Sequence, residues 1–289
     1  MQIHRLATLN DNYTWVITQN PSVSSDPTQT SADSKHPKQS AQPCYVVDPG
    51  EAQPVIDFCQ THDLSLAGIL ITHHHPDHTD GVKALLSQCN ACPVYGFADG
   101  PAGNLITNAV LDNDCIDIFG KVFTVIETPG HSLDHVCFYH PTALFSGDVL
   151  FAGGCGKIWD HPPELMHQSL MTLRALDDDC QVYCGHEYTY ENMMFAHIAE
   201  PDNDAIDQRL KQVRAQRQQD QATVPSTLGL EKATNPFLRY DLSPLKQPLE
   251  ARQPALKTQH DPVEYFAQLR AWKDTLDATG ALKEGLNDA

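Results

Sequence analysis

Residues 72–78 constrain the fold of this chain more than any other segment, because they place four histidines and one aspartate within seven positions. The apolar, β-branched run at 67–71 precedes them and predicts a buried strand. The residues from Thr79 onward predict a helix. The histidines should therefore lie in the turn that leaves the carboxyl end of a strand, where α/β and sandwich proteins commonly place their sites.

The spacing of these side chains indicates a metal centre. His73 and His75 are two residues apart, so in extended backbone they point to the same side and can hold one ion. Asp77 and His78 follow where the chain turns into the helix, and they can face a second ion. His74 points the other way and is predicted to pack or to form a hydrogen bond. The alternative is a surface cluster that binds metal adventitiously, but the strand–turn–helix context favours a site.

Three later segments end in a similar way. Each is a predicted strand followed by a glycine and then by a histidine or an aspartate, and the glycine lets the backbone come close to an ion. The predicted strands are 122–128, 143–146 and 181–184, and the residues that follow their glycines are His131, Asp148 and His186. Imidazole and carboxylate ligands suit zinc, with iron or manganese as second choices.

The stretch at 72–78 resembles the T-H-x-H-x-D-H signature of the metallo-β-lactamase superfamily. Three further segments, at 155–157, 185–189 and 235–239, resemble signatures of the glyoxalase II (hydroxyacylglutathione hydrolase) family. This resemblance implies an α+β fold, a four-layer αββα sandwich followed by a C-terminal helical domain. We therefore predict a dimetal domain over residues 1–187 and a helical substrate-binding domain over residues 188–289.

The same resemblance implies the ligand set and the reaction. His73, His75 and His131 would hold one zinc, Asp77, His78 and His186 would hold the other, and Asp148 would bridge them. A hydroxide bound by both ions would attack the thioester of an S-(2-hydroxyacyl)glutathione, and Asp77 would also orient it. The expected products from S-D-lactoylglutathione are glutathione and D-lactate, which is the second step of methylglyoxal detoxification.

Four residues are expected to contact the substrate. Lys157 lies on a glycine-rich loop after Asp148, and Tyr188 lies two residues beyond a predicted metal ligand. Arg270 and Lys273 are three residues apart on the last predicted helix, hence on one face. They match the Arg-x-x-Lys pair that the family uses for the glycine carboxylate. The alternative for this pair is a solvated helix face.

Composition limits the partners and the compartment. The formal charge of −18 argues against nucleic-acid binding, which needs a basic surface. No apolar run is long enough to predict a transmembrane helix. The nine cysteines are scattered through predicted strands and helices, which indicates free thiols in a reducing cytoplasm. We expect a cytoplasmic monomer, and residues 20–43, rich in polar residues and proline, are predicted to be a flexible insertion in a hairpin.

Other activities remain open from the sequence alone. A related iron persulfide dioxygenase would lack the C-terminal helical domain, so the long tail argues against it. A lactonase, a β-lactamase or an RNA nuclease of the same superfamily is a further alternative, although a nuclease would carry a basic surface. A metal-binding protein without catalysis is disfavoured by the complete set of seven predicted ligands.

Overall fold

The computed structural model describes residues 1–20, 41–89, 92–159 and 161–283. The predicted insertion at 20–43 lies mostly outside the described residues. Its predicted end is wrong, because Gln42 and Pro43 already belong to a strand. The strands on either side of the segment pair antiparallel, with Thr18 opposite Cys44, so the predicted hairpin is confirmed.

Two six-stranded sheets form the centre of the fold. The first contains, in order, β1 (Gln2–Thr8), β2 (Asn12–Thr18), β3 (Gln42–Val47), β4 (Leu64–Leu70), β5 (Val94–Gly96) and β6 (Asn108–Ala109). The second contains, from edge to edge, β14 (Ser226–Thr227), β13 (Gln181–Cys184), β10 (Ala143–Gly147), β9 (Val136–His140), β8 (Lys121–Glu127) and β7 (Cys115–Ile118). A small hairpin, β11 (Leu150–Phe151) and β12 (Gly154–Cys155), follows β10.

The sheets pack face to face because successive side chains in a strand point to opposite faces. Trp15 and Ile17 face the second sheet and share a core with Phe123 and Phe138. Val16 faces the opposite way, into the core under the outer helices. The outer helices of this half are α1 (Gln53–Thr61), α2 (Pro76–Thr79) and α3 (Val82–Leu86), and α4 (Pro163–Arg174) covers the second sheet. The predicted αββα layering is confirmed.

The rest of the chain is mainly helical and packs on the second sheet. Its helices are α5 (Thr189–Ala199), α6 (Asp204–Arg217), α7 (Leu228–Thr234), α8 (Ser243–Arg252), α9 (Leu256–Gln259) and α10 (Pro262–Thr279), with short 3₁₀ turns at Pro236–Leu238 and Ala281–Lys283. Phe237, Phe266 and Leu269 share one buried cluster with Leu144 and Leu170. Within the described ranges, every helix is too short or too polar to cross a membrane.

One predicted helix is interrupted in the structure. The helix expected from Thr79 onward is divided into α2 and α3 by Gly81, whose N–H donates to Pro49 O at 2.9 Å. A Cβ at Gly81 would collide with the backbone at Pro49 and Glu51, so tertiary packing fixes this break. Farther along the chain, α5 and α6 are separate helices, and the Asn203 side chain caps the start of α6.

Candidate active site

The ends of four strands bring all seven predicted metal ligands into one cluster. β4 leads to the histidine-rich turn, β8 to His131, β10 to Asp148 and β13 to His186. The potential ligand atoms within each of three groups lie within 4.8 Å of one another. The groups are His73–His75–His131, His73–His78–Asp148 and Asp77–His78–His186.

Three histidine rings converge at one end of the cluster. His75 Nδ1 lies 3.0 Å from His73 Nε2 and 3.0 Å from His131 Nε2. His75 therefore presents Nδ1 to the centre, whereas the other two rings present Nε2. Three imidazole nitrogens facing a common point are the donor set that a divalent transition metal prefers.

Asp148 lies between these rings and the second group. One carboxylate oxygen, Oδ2, is 3.5 Å from His131 Nε2 and 3.3 Å from His186 Nε2. The other, Oδ1, is 3.3 Å from His78 Nε2. Asp77 Oδ2 completes the second group at 3.4 Å from His186 Nε2. One carboxylate thus contacts both halves of the cluster, as a bridging ligand would.

Two buried atoms indicate that the cluster is shaped for cations. Among the described residues, His78 Nε2 and Asp148 Oδ1 are buried side-chain atoms that make no hydrogen bond. Buried polar atoms without partners are rare in folded proteins, and each needs an explanation such as a bound ion. The nitrogen and oxygen donors fit zinc, iron or manganese, so the residues present fit a pair of such ions.

In His78 and His186, the ring nitrogen that faces away from the cluster, Nδ1, is hydrogen-bonded to an aspartate. His78 Nδ1 lies 3.1 Å from Asp48 Oδ2, and His186 Nδ1 lies 2.8 Å from Asp11 Oδ1. An N–H donated at Nδ1 leaves the Nε2 lone pair directed at the metal position. Asp48 lies in a turn with φ +51°, and its carboxylate also accepts from Thr72 and orients His78.

The remaining histidines of this region act around the cluster. His135 Nε2 accepts the Asp148 N–H at 3.1 Å and so supports the backbone of this candidate ligand. His74 points away and pairs with Asp134 at 2.8 Å, as predicted. Gly185 is needed at its position, because a Cβ there would collide with Asp148 Oδ1 and the His78 ring.

The buried acids and histidines of the cluster shift one another's pKa values. Burial raises the pKa of Asp148, but the charges of His78 and His186 outweigh this effect and hold the pKa well below its usual value. Burial lowers the pKa of His78, and Asp148 and Asp48 then raise it to about 10. A metal ion needs the neutral imidazole as its ligand, so metal binding should release any proton that His78 holds at Nε2.

Removing the acceptor for His186 should weaken metal binding without unfolding the protein. The Asp11 side chain is 43% exposed, so we expect Asp11→Ala to fold normally. Loss of its bond to His186 should lower the zinc affinity about tenfold to a hundredfold. Competition with a chromogenic chelator measures this affinity. The control is Asp80→Ala, at an exposed aspartate after α2, and an equal loss in both variants would contradict the role of Asp11.

A cavity of about 660 Å³ adjoins the cluster and is lined by all four predicted substrate contacts, Lys157, Tyr188, Arg270 and Lys273. The Tyr188 ring stacks on the His186 imidazole, with centroids 4.7 Å apart, so this wall of the cavity contacts the cluster directly. The Lys157 ammonium lies 4.4 Å from the ring of Trp159, which is 55% exposed. The cavity therefore joins the candidate metal centre to a group of cations.

The helix cations are not on a solvated face. Arg270 and Lys273 are 5% and 6% exposed, and the Arg270 guanidinium donates to Cys155 O at 3.1 Å. Burial of two cations requires partners, and Asp274 and Asp277 supply them. Neither acid is among the residues predicted for the site, although their spacing of four residues from Arg270 and Lys273 is a sequence signal for both pairs.

The sequence of this chain is similar to two family models and to several curated proteins. Residues 39–186 match the family model described as the metallo-beta-lactamase superfamily, and residues 187–276 match that of the hydroxyacylglutathione hydrolase C-terminus. The chain is 50% identical over 288 residues to a hydroxyacylglutathione hydrolase of Hydrogenovibrio crunogenus, and the alignment covers 100% of both chains. It is 40% identical to the protein of the same description from Pseudoalteromonas translucida, over 95% of this chain and 99% of the relative.

Solved structures agree on the fold. The crystal structure of ETHE1 from Myxococcus xanthus superimposes with a TM-score of 0.57 at 19% identity, covering 93% of this chain and 100% of that chain. A metallo-beta-lactamase from Staphylococcus aureus gives a TM-score of 0.55 at 18% identity, covering 94% and 72% of the two chains. At these sequence identities the similarity supports a shared fold only.

Proposed function

The chain belongs to the hydroxyacylglutathione hydrolase family, and we propose that it hydrolyses the thioester bond of an S-(2-hydroxyacyl)glutathione. S-D-lactoylglutathione is the proposed substrate, and glutathione and D-lactate are the products. The observation that carries the proposal is the cavity that begins at the ring of Tyr188 on His186 and extends to the buried cations Arg270 and Lys273. This lining supports a reactive centre and an anion-binding site within one substrate-sized space.

We propose two zinc ions as the resident metals, with iron or manganese as alternatives. His73, His75 and His131 would hold one ion, Asp77, His78 and His186 would hold the other, and Asp148 would contact both. The fit is supported by the buried, unpartnered His78 Nε2 and Asp148 Oδ1. Bound divalent cations would lower the pKa of water toward neutrality and would stabilise negative charge on the thioester oxygen.

Asp77 is the proposed catalytic carboxylate, which orients the attacking water. Its Oδ2 accepts from Asn12 Nδ2 at 2.8 Å, so its direction is fixed. Burial raises the pKa of Asp77, but His186, His78 and Asn12 outweigh burial and hold the pKa below its usual value. Asp77 is therefore ionised at neutral pH and can accept a hydrogen bond from water. The departing thiolate is a good leaving group, so no general acid is required.

Turnover with and without metal tests this proposal. Purified protein should hydrolyse S-D-lactoylglutathione, lose the activity on dialysis against a chelator and regain it with zinc. A simple lactone and a β-lactam serve as comparison substrates. Preferential hydrolysis of either one, or thioester turnover that survives complete metal removal, would overturn the proposal. Elemental analysis of the protein as purified would identify the metals.

Loss of one helix cation should weaken substrate binding more than it slows the reaction. Lys273 lines the cavity but is not part of the His/Asp cluster. We expect Lys273→Ala to raise KM about tenfold with a smaller change in kcat, because an interaction of equal strength in ground and transition states is removed. Steady-state kinetics measure both constants. The control is Lys257→Ala, at an exposed lysine on α9, and a kcat effect as large as the KM effect would argue against a substrate contact.

We further propose that the enzyme is a cytoplasmic monomer with a dimetal domain over 1–187 and a substrate-binding domain over 188–289. All nine cysteines are free thiols, which supports a reducing compartment. Light scattering coupled to size-exclusion chromatography would reveal any larger assembly.

A further inference from the structure

The cation pair at the far end of the cavity already holds a carboxylate of the same helix. Asp277 Oδ1 and Oδ2 accept from Lys273 Nζ at 3.0 and 2.8 Å. Asp277 Oδ2 also accepts from Arg270 Nη2 at 3.3 Å. A single carboxylate thus bridges both cations, which is the arrangement that a carboxylate of a bound ligand would need.

Asp274 contacts Arg270 differently. Its Oδ1 accepts from Nε at 3.2 Å and from Nη2 at 2.8 Å, and no bond from Asp274 to Lys273 is formed in the described structure. Asp274 therefore orients the guanidinium from one side, while Asp277 occupies the region between the two cations. The two acids have separate roles, and only Asp277 competes for the shared position.

Asp274 and Asp277 are both 40% exposed, but the position of Asp277 between the two cations and near the helix end makes it the replaceable partner. Its side chain is 40% exposed, whereas the side chains of Arg270 and Lys273 are 6% and 8% exposed. Asp277 also lies in the last turn of α10, where the helix dipole disfavours a negative charge. The two cations offset this unfavourable interaction with the helix dipole. A ligand carboxylate that replaced Asp277 would release the Asp277 side chain to water.

The charge of the cavity favours an exchange of one carboxylate for another. Basic and acidic side chains line the cavity in equal number, five of each, although the whole chain carries a formal charge of −18. A ligand carboxylate that displaced Asp277 would make the same bonds to the two cations. A ligand without this group would leave Asp277 in place and would gain nothing from the pair.

We infer that Asp277 is an internal carboxylate that occupies the Arg270–Lys273 pair until the glycine carboxylate of the substrate displaces it, and that it thereby sets the affinity for glutathione derivatives. The inference rests on the proposed function for the identity of the ligand. In the free protein Asp277 keeps two buried cations paired. In the complex its displacement lowers the apparent affinity, because the ligand must first break these bonds.

Binding of a capped ligand tests the inference without turnover. The variant Asp277→Asn keeps the shape of the side chain and removes its charge. By calorimetry we expect it to bind S-methylglutathione about fivefold more tightly than the natural protein does. The glycine ethyl ester of S-methylglutathione lacks the competing carboxylate and should bind both proteins equally. The control variant is Glu264→Gln, which removes one exposed charge from the first turn of the same helix.

Each outcome decides between distinct explanations. Weaker binding to Asp277→Asn would overturn the inference and would make Asp277 a direct partner of the ligand, for example of its ammonium group. An equal gain for acid and ester, or an equal gain in Glu264→Gln, would reduce the effect to overall charge and would also overturn it. Failure of the natural protein to hydrolyse S-D-lactoylglutathione would refute the proposed function instead. Turnover therefore tests the proposed function, whereas calorimetric binding tests the role of Asp277.

Discussion

Replacing Asp148 with alanine is expected to abolish thioester hydrolysis and to lower the metal content of the purified protein. The Asp148 carboxylate lies within 3.5 Å of His78, His131 and His186, so it contacts candidate ligands from both halves of the cluster. Without it, two adjacent cations would repel each other without a shared anion. We expect kcat/KM to fall by more than about a thousandfold.

The control for this variant is Asp134→Ala. Asp134 is also a buried aspartate bonded to a histidine of the same turn, but its partner His74 points away from the cluster. Metal analysis and kinetics on both variants separate a ligand from a structural carboxylate. Asp148→Ala with full metal content and substantial turnover would contradict the assignment, and equal losses in the two variants would indicate general damage to the turn.

The sequence predicted the candidate cluster because each of its members has a local signal. Every one follows a short apolar strand, and His131, Asp148 and His186 each follow a glycine. Strand ends that meet at one edge of a sandwich then bring distant residues together. The supporting carboxylates carry no comparable signal. Asp11 and Asp48 occur in sequences that a turn explains fully, and their bonds to His186 and His78 span 175 and 30 residues.

Long-range contacts decide the features that local sequence patterns do not predict. The break between α2 and α3 depends on the contact of Gly81 with Pro49, which is invisible to helix periodicity. The burial of Arg270 could not be predicted either, because it depends on Cys155 O in the hairpin after β10. Local patterns therefore located the strands and the donors, whereas long-range packing decided which charges are buried.

The second large effect is expected at Glu231, which ties the helical region to the loop after Asp148. Glu231 is fully buried. Its Oε1 accepts from Arg209 Nη2 and Ser226 Oγ, and its Oε2 accepts from Gly153 N and Asn235 Nδ2. Gly153 lies in the turn of the β11–β12 hairpin, so the network joins α6 and α7 to the wall of the cavity.

We expect Glu231→Gln to lower the free energy of unfolding by about 3–5 kcal/mol, because it leaves the buried Arg209 guanidinium without a counter-charge. All four partners of Glu231 donate hydrogen bonds, so the NH2 group of the new glutamine would face donors and could not bond to them. Urea denaturation followed by circular dichroism measures the change. The control is Asp178→Asn, which breaks the ion pair between Asp178 and Lys232. Because the Asp178 side chain is 72% exposed, this variant should lower the free energy of unfolding by less than about 1 kcal/mol.

A double variant separates the charge effect from simple loss of packing. Arg209→Met combined with Glu231→Gln removes both charges and nearly preserves volume, so it should recover part of the stability lost by Glu231→Gln alone. If the double variant is less stable than Glu231→Gln by the full cost of Arg209→Met, the two residues do not interact energetically. In that case the hydrogen bonds that Gly153 and Asn235 donate to residue 231 would stabilise the cavity wall, and the ion pair with Arg209 would contribute no stability of its own.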